Sequence, residues 1–470
     1  MKIKFIAGAC LAMCASGAFA AGTTVACDVS TGLQMAKTCV PESTLYIAGS
    51  SALGAALNTV ALDLFETPSQ VATIKSTTGL NAGKDQGWYG MSKASVTGTS
   101  KRLYVVYNSQ NGSAAGVSQL LAKFDPKADG TKPNFIVESK VVSVGPTVSA
   151  TGAVEGTCVL TTAATGSAGP VLSCSTPAVT QADVAISDVA PQELFALYTA
   201  ATAKLSTVKS TPLALQGFGV AVSARLYAAL QADQGLSSSE QPSVRRADYA
   251  SLVSGSAKTV DVLFNNAATP REPLNLARRD ALSGTQAASN IFFASNACGN
   301  NHLPFKPPAT VGKVIVGVLG GQLPIVGAEV NTADLIVTLS ATGGGVSSEL
   351  NKDAYGIGVI SLNAPAKAVD TWKFVKLDGV SPNADLDGKS REKIASGDYP
   401  FAMTAFAVTP VKANVAKTGL ITALVTGLQS SAAHNFAGIA YFDGGFDYQT
   451  KVQRTDGNNC SPLIKGIQIH

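Results

Sequence analysis

The chain has 470 residues, of which 46% are hydrophobic and 14% are charged, a composition that excludes a disordered protein and leaves room for two globular domains. The formal net charge of +4 falls to +2 without Lys2 and Lys4, so there is no general basic field, and we predict no nucleic-acid partner. No two cysteines have a C-x-x-C spacing and the chain has only 3 histidines, so we predict no metal site and no cofactor.

The first 20 residues have the pattern of a secretory signal peptide. Lys2 and Lys4 precede an uncharged apolar run, and Ala18-Phe19-Ala20 is a small-x-small cleavage signal. The run is too short to span a membrane, and no later segment is a long uninterrupted apolar stretch. We therefore predict that residues 1–20 are removed and that the mature protein is soluble and either periplasmic or secreted.

Of the 8 cysteines, those outside the leader are even in number, which in an exported chain predicts disulfides. The sequence alone leaves many pairings open. Proximity along the chain favours Cys27 with Cys39 and Cys158 with Cys174, which by elimination leaves Cys298 with Cys460.

Two segments in the first half share a strand, a polar turn and a helix start. Residues 45–48 form a short β-like run, a Gly-Ser-Ser turn follows, and residues 52–65 have apolar side chains at helical spacing. Residues 102–107 predict a second strand, which leads through a Gly- and Ser-rich turn to a helix over residues 117–124. The N-terminus of a helix presents free N–H groups and the positive end of its dipole, so both turns are suited to binding an anion.

Two long segments interrupt this pattern. Residues 66–103 are polar and turn-rich, and residues 125–182 are rich in Thr, Val, Gly and Ser, with Cys158 and Cys174 bracketing the turns. We predict that the second segment is inserted β-hairpin material held by a disulfide.

A stretch rich in anion-binding groups lies at residues 278–285. It places two arginines before a Ser-Gly-Thr helix start, where glycine lets a ligand approach the backbone, the hydroxyls donate hydrogen bonds and a guanidinium grips two oxygens. This predicts an oxyanion pocket, and the alternative is that Ser283 only caps a helix while the arginines are solvated. A strand over residues 184–187 ends at Asp188, which is either a ligand or a turn-forming residue.

The order and strand-end positions of four segments resemble those of the phosphate-binding proteins that serve ABC importers. The four are residues 49–51, 112–116, 186–188 and 278–285. Further similarity lies at residues 217–230, 249–255, 355–360, 376–382 and 394–400. The resemblance spans roughly residues 45 to 410, and its weight lies in the ordered combination of the motifs.

The resemblance implies an α/β protein with a two-lobed type II periplasmic binding protein fold, which holds a tetrahedral oxyanion in the cleft between the lobes. Lobe I would comprise residues 21–211 and 399–470, and lobe II residues 212–398. The segments near 66–103 and 125–182 would be insertions that cap the cleft, dock a partner or block a transporter.

The resemblance also implies a set of ligand residues. Ser51 and the Ala52 N–H stand in the place of a threonine and its neighbour that touch phosphate, Ser113 stands in the place of the next hydroxyl, and Asp188 matches the acidic ligand. The helix start of lobe II is matched by Ser283, Gly284 and Thr285.

The arginine ligand is ambiguous because the spacing differs from that of the family. The family has Arg-x-Asp-x-Ser-Gly-Thr, whereas this chain has one extra residue before Ser283. Aligning on Asp280 selects Arg278, and counting back from Ser283 selects Arg279. We prefer Arg278.

The first functional hypothesis is an exported, soluble, monomeric protein that captures inorganic phosphate or a related oxyanion for an ABC importer. Asp188 would accept the proton that phosphate retains near neutral pH and would repel sulfate, which has none. The alternative is a secreted or surface interaction protein that keeps the fold without a transport role. Catalysis is disfavoured because neither Gly- and Ser-rich turn has the Gly-x-Ser-x-Gly spacing of a serine hydrolase.

Overall fold

The computed structural model describes most of the chain between Cys27 and Lys465, and the predicted signal peptide lies outside it. The described residues are 27–76, 85–109, 112–121, 134–135, 158–162, 171–174, 178–179, 182–195, 205–257, 259–280, 283–295, 298, 329–331, 335–340, 343–364, 366–382, 389–412, 414–430, 436–442 and 450–465. No helix within these ranges is long and apolar enough to cross a membrane.

The helices are short and are distributed along the whole described chain. The α-helices are Gly32–Thr38 (α1), Gly54–Asp63 (α2), Ala94–Thr97 (α3), Gly112–Leu120 (α4), Pro191–Leu194 (α5), Ala224–Asp233 (α6), Arg246–Val253 (α7), Gly284–Ala294 (α8), Gly343–Leu350 (α9), Lys389–Ser396 (α10) and Thr418–Gln429 (α11). Short 3-10 helices occupy Ser51–Leu53, Pro68–Gln70, Leu205–Thr207, Val260–Leu263, Val415–Lys417 and Thr455–Gly457.

The strands alternate with these helices. They are Ser43–Gly49 (β1), Ala72–Ser76 (β2), Asp85–Met91 (β3), Arg102–Asn108 (β4), Asn134–Phe135 (β5), Cys158–Thr162 (β6), Val171–Cys174 (β7), Ala178–Val179 (β8), Val184–Ser187 (β9), Val208–Val222 (β10), Ser243–Val244 (β11), Leu274–Arg279 (β12), Glu329–Asn331 (β13), Leu335–Ser340 (β14), Tyr355–Ser361 (β15), Lys373–Phe374 (β16), Lys376–Leu377 (β17), Ala402–Pro410 (β18), Ile439–Tyr441 (β19), Val452–Gln453 (β20) and Ile464–Lys465 (β21).

Most of these strands join one mixed sheet in the order β13-β14-β12-β15-β10-β18-β9-β1-β4-β3-β2-β7-β6. Strand β1 lies between the parallel neighbours β4 and β9, and β12 lies between the parallel neighbours β14 and β15. These strands are almost entirely buried, as parallel strands covered on both faces are expected to be. We call the part around β1 lobe I and the part around β12 lobe II. This is the two-lobed α/β fold that the sequence predicts.

One long strand, β10, belongs to both lobes. Its first part, residues 208–217, pairs antiparallel with β18, and its last part, residues 218–222, pairs antiparallel with β15 of lobe II. Phe218 lies where the partner changes, and its ring packs 5.5 Å from that of Phe401 at the start of the return to lobe I. Strand β10 therefore connects the two lobes by hydrogen bonds to both. The lobe boundaries at residues 212 and 399 stay a prediction.

The segment at residues 66–103 is not the loop that its polar composition indicates. It contains β2 and β3, which extend the sheet of lobe I beyond β4. Trp88 and Tyr89 on β3 are 1% and 0% exposed and pack into the cores on opposite faces of the sheet. The sequence interpretation was wrong because Trp88, Tyr89 and Met91 supply the apolar surface of a strand whose other residues are polar or glycine.

The predicted hairpin material in residues 125–182 is confirmed in its described part. Strands β6 and β7 pair antiparallel, with Cys158 opposite Cys174 in the register, and β7 pairs parallel with β2. The side chains of these two cysteines lie outside the described part of the structure, so their disulfide stays a prediction. The hairpin lies at the end of the sheet away from lobe II, so these strands do not cover the cleft.

Among the cysteines whose side chains the structure describes, disulfides join Cys27 to Cys39 and Cys298 to Cys460. The second bridge holds the C-terminal segment just beyond α8 of lobe II. On lobe I the same segment is bound through Asn459, whose N–H and side-chain amide donate to the Glu193 carboxylate at 2.6 and 2.8 Å. The C-terminal segment therefore ties lobe II to lobe I.

We predict that loss of the Cys298–Cys460 bridge destabilises the protein more than loss of the Cys27–Cys39 bridge. The two bridges join residues that are 162 and 12 positions apart. The loop entropy that each removes from the unfolded chain corresponds to about 5 and about 3 kcal/mol. Denaturant unfolding should show the larger loss in Cys460→Ser than in Cys27→Ser, and an equal or larger loss in Cys27→Ser would contradict this account.

Candidate functional site

A buried serine turn follows the first strand of lobe I. Gly49 has a φ of +125°, and an added Cβ would lie 2.0 Å from the Ile186 carbonyl oxygen, so only glycine fits between β1 and β9. The next residue, Ser50, is 1% exposed; its hydroxyl donates to Asp188 Oδ1 and accepts the Ala52 N–H at 3.1 Å. Sequence reasoning selected Ser51 and missed Ser50, although both stand in the Gly-Ser-Ser turn that gave the signal.

Asp188 follows β9, and its carboxylate is bound by residues of both lobes. Ser50 of lobe I donates to Oδ1, and Thr285 of lobe II donates to Oδ2 at 3.4 Å. The Asp188 N–H donates to Ser113 Oγ at 3.2 Å. The residue is 2% exposed, so these hydroxyl groups take the place of water around a carboxylate.

The helix start of lobe II packs directly against this carboxylate. Ser283 caps α8 by accepting the Gln286 N–H at 3.3 Å, which is the structural alternative considered for this residue. Gly284 lies so close to lobe I that an added Cβ would be 2.2 Å from Ser113 Oγ and 2.5 Å from Asp188 Oδ2. A glycine at this position is therefore what allows the two lobes to meet.

The two arginines at the end of β12 lie in different surroundings, because successive side chains of a strand point to opposite faces. Arg278 donates from Nη2 to Asn290 Oδ1 at 3.1 Å and lies near Tyr249. Arg279 lines a cavity between the lobes, and an added Cβ on Gly343 would lie 3.7 Å from its Nη1. Arg279 is therefore the arginine on the cavity wall, whereas the ligand role preferred for Arg278 stays a prediction.

The cavity has a volume of about 420 Å³ and takes residues from both lobes. Of the predicted ligand residues, it brings together Ser51, Ala52, Arg279 and Thr285. The other predicted ligand residues do not line the cavity. They are Arg278 and the residues at the contact between the lobes described above, Ser113, Asp188, Ser283 and Gly284. Lobe I is also linked to the end of β15 by a hydrogen bond from Asn363 Nδ2 to the Ala52 carbonyl at 2.6 Å.

A second helix start at the cavity was missed by the sequence analysis. Gly343 and Gly344 open α9 and line the cavity beside Arg279. The signal was present, because three consecutive glycines follow a strand rich in Leu and Val, as in the other strand, turn and helix units. Two helix N-termini of lobe II, those of α8 and α9, thus lie at or beside the same cavity.

Burial and charge oppose each other at Asp188. Burial raises its pKa to about 6, against the hydrogen bond from Ser50, the charge of Arg279 and the hydrogen bonds from Thr285 and Ser113. Burial also lowers the pKa of Arg279, whereas the carboxylates of Asp280 and Asp188 raise it. The cavity therefore has a buried guanidinium in its wall and a buried carboxyl group behind it. Within the described ranges, no three His, Cys, Asp or Glu side chains are grouped in a way that would hold a metal ion.

Comparison with known proteins finds similarity among solved structures. No family model matches the chain, and no curated protein matches it. Among solved structures, a putative phosphate ABC transporter substrate-binding protein from Clostridium perfringens, with bound phosphate, is 12% identical, with a TM-score of 0.41 over 83% of this chain and 93% of that one. An ABC-type phosphate transport receptor from Vibrio cholerae is 12% identical, with a TM-score of 0.38 over 81% and 93%.

A phosphate-binding protein from Stenotrophomonas maltophilia is 11% identical, with a TM-score of 0.40 over 82% of this chain and 83% of that one. These proteins are of the class that the sequence motifs resemble. At this level of identity they do not identify a ligand for this chain.

The raised pKa of Asp188 predicts a pH-dependent cost to stability. Since the folded-state pKa of about 6 lies above the ordinary value of 3.8, the folded state favours the protonated carboxyl group, and unfolding becomes easier as the pH rises through this window. The free energy of unfolding of the wild-type protein, relative to Asp188→Asn, should fall by up to about 3 kcal/mol between pH 4 and pH 7. Urea unfolding of both proteins at several pH values measures this, and a constant or rising difference would refute it.

Proposed function

We propose that this chain binds a tetrahedral oxyanion, most simply inorganic phosphate, in the cavity between its lobes. The observation that carries the proposal is the convergence of Ser51 from lobe I with Arg279 and Thr285 from lobe II around one cavity. A guanidinium is suited to a planar pair of phosphate oxygens, and hydroxyl groups supply further donors. The glycine-rich start of α9 beside Arg279 adds N–H groups and the favourable end of a helix dipole.

Movement of the lobes would bring Asp188 into the binding site. Thr285 and Gly284 belong to lobe II, whereas Asp188 and Ser113 belong to lobe I, so separation of the lobes opens a gap at the carboxylate. An oxyanion in that gap would take over the Thr285 hydroxyl, whose hydrogen bond to Asp188 is long at 3.4 Å. An anion that carries a proton would return a hydrogen bond to the carboxylate, and phosphate does so near neutral pH.

The role of such a protein would be capture and delivery outside the cytoplasmic membrane, with an ABC importer as the partner. This part of the proposal rests on the motif resemblance and the predicted signal peptide. The alternative is an interaction protein of the same fold, and the strands that enlarge lobe I, β2, β3, β6 and β7, are the observation that favours it. Phosphate binding in solution supports the first role, and its absence from the folded protein supports the second.

Lysine substitution should distinguish the two arginines. A lysine ammonium cannot reproduce a bidentate guanidinium contact, so Arg279→Lys should weaken phosphate binding by about tenfold to hundredfold. Arg278→Lys is the matched control, because Arg278 is equally buried but lies away from the cavity. Isothermal titration calorimetry on the folded variants measures both affinities, and equal small effects would place neither arginine at the ligand.

Replacement of the buried carboxylate should change the choice of anion. Sulfate has no proton to offer Asp188 and would meet an unpaired buried charge, so the wild-type protein should bind phosphate in preference to sulfate. An amide can donate to a fully deprotonated oxygen, so Asp188→Asn should narrow this preference by at least about tenfold. Calorimetric titration with each anion gives the two affinity ratios, and an unchanged ratio would remove Asp188 from the site.

A further inference from the structure

The cavity is larger than an oxyanion needs. Its volume of about 420 Å³ is in the range of pockets that enclose organic ligands, about 300 to 1,000 Å³. A tetrahedral oxyanion consists only of a central atom and its oxygens and does not fill such a volume. The remaining space is lined almost entirely by lobe II. It therefore lies to one side of the proposed anion position.

Helix α9 gives this space a direction. Gly343 lies beside Arg279 at the helix start, and Gly344, Ser347, Ser348 and Asn351 continue the lining along one helix face. A helix rises about 1.5 Å per residue, so the lining extends about 10 Å away from the guanidinium. The cavity is thus elongated, with its charged end at Arg279.

The far end is a rim that is held in place by hydrogen bonds to α9. The Asp370 carboxylate accepts the Lys367 N–H at 2.8 Å and the Asn351 side-chain amide at 2.8 Å. Ser347 donates to the same carboxylate at 3.2 Å and accepts the Trp372 indole N–H at 2.5 Å. These bonds fix residues 367–372 before any ligand arrives, which reduces the ordering cost of binding.

The rim presents side chains that suit an organic group. Val369 is 79% exposed although it is a large hydrophobic residue, and Lys367 beside it is exposed and charged. The apolar residues Val359 and Ile360 and the exposed residue Ser348 also line the cavity. This combination fits a group with both carbon atoms and hydroxyls, and it is not needed for a bare oxyanion.

We infer that the ligand is a phosphate monoester with an organic group of about the size of a sugar. The inference rests on the proposed function, since the phosphate occupies the Arg279 end. The organic group lies along α9 and reaches the rim at Lys367 and Val369. The site then distinguishes esters from inorganic phosphate by the contacts that only the organic group makes.

Calorimetry of the mature protein with inorganic phosphate, glycerol 3-phosphate, glucose 6-phosphate and glucose tests this inference. The titrations are done at about pH 5.5, where a phosphate monoester, whose second pKa is about 6, still carries the proton that Asp188 accepts. We expect glucose 6-phosphate to bind at least tenfold more tightly than inorganic phosphate, with glycerol 3-phosphate between them and no binding of glucose. Ser348→Trp, which fills the space along α9, should bring the affinity ratio of sugar phosphate to phosphate close to one. Asp353→Trp is the matched control, because Asp353 is exposed and outside the cavity, and it should keep the wild-type ratio.

The outcomes separate this inference from the proposed function. If inorganic phosphate binds as tightly as every ester, or more tightly, the ester assignment is overturned while the oxyanion site stands. The ester assignment is also overturned, and the oxyanion site also stands, if Ser348→Trp leaves the affinity ratio of sugar phosphate to inorganic phosphate at its wild-type value. If the folded protein binds no phosphate compound at all, the proposed function fails and the ester assignment fails with it.

Discussion

The carboxylate of Asp188 is the point at which the two lobes depend on each other. A buried carboxylate is unfavourable unless its oxygens are bonded, and here the donors come from Ser50 on one lobe and Thr285 on the other. Arg279 contributes an opposite charge without which burial would raise the pKa further. Helix α8 meets lobe I at this group, where Gly284 lies close to Ser113 and Asp188.

The fold supplies the geometry for that contact. Parallel strands place their carboxyl ends at one edge of each lobe, so the turns after β1 and β9 and the helix after β12 face the same cleft. Strand β10 carries hydrogen bonds into both lobes, and the C-terminal segment links them a second time through Glu193 and the Cys298–Cys460 bridge. Strand β10 and the C-terminal segment therefore both restrain any opening of the cleft between the lobes.

The sequence predicted the parts of the site that depend on local chemistry. A strand followed by Gly and Ser and then a helix marked the turns after β1 and β4, and a Ser-Gly-Thr helix start marked α8, because glycine and small hydroxyl side chains are what a close backbone approach requires. What it did not predict depends on the tertiary structure. The face of β12 that meets the cleft decides that Arg279 lines the cavity, and burial decides that Ser50 bonds to Asp188 while Ser51 lines the cavity. The strands in residues 66–103 were missed because the burial of Trp88 and Tyr89 depends on the neighbouring strands β2 and β4.

The location of a bound anion tests the central claim most directly. Arsenate has the shape and the protonation of phosphate, and its arsenic atom can be found by anomalous scattering in a crystal of the mature protein. The account predicts one arsenic site in the cavity, with arsenate oxygens within hydrogen-bonding distance of the Arg279 guanidinium and the Ser51 hydroxyl. Arsenate bound elsewhere, with the cavity empty at a saturating concentration, would contradict it.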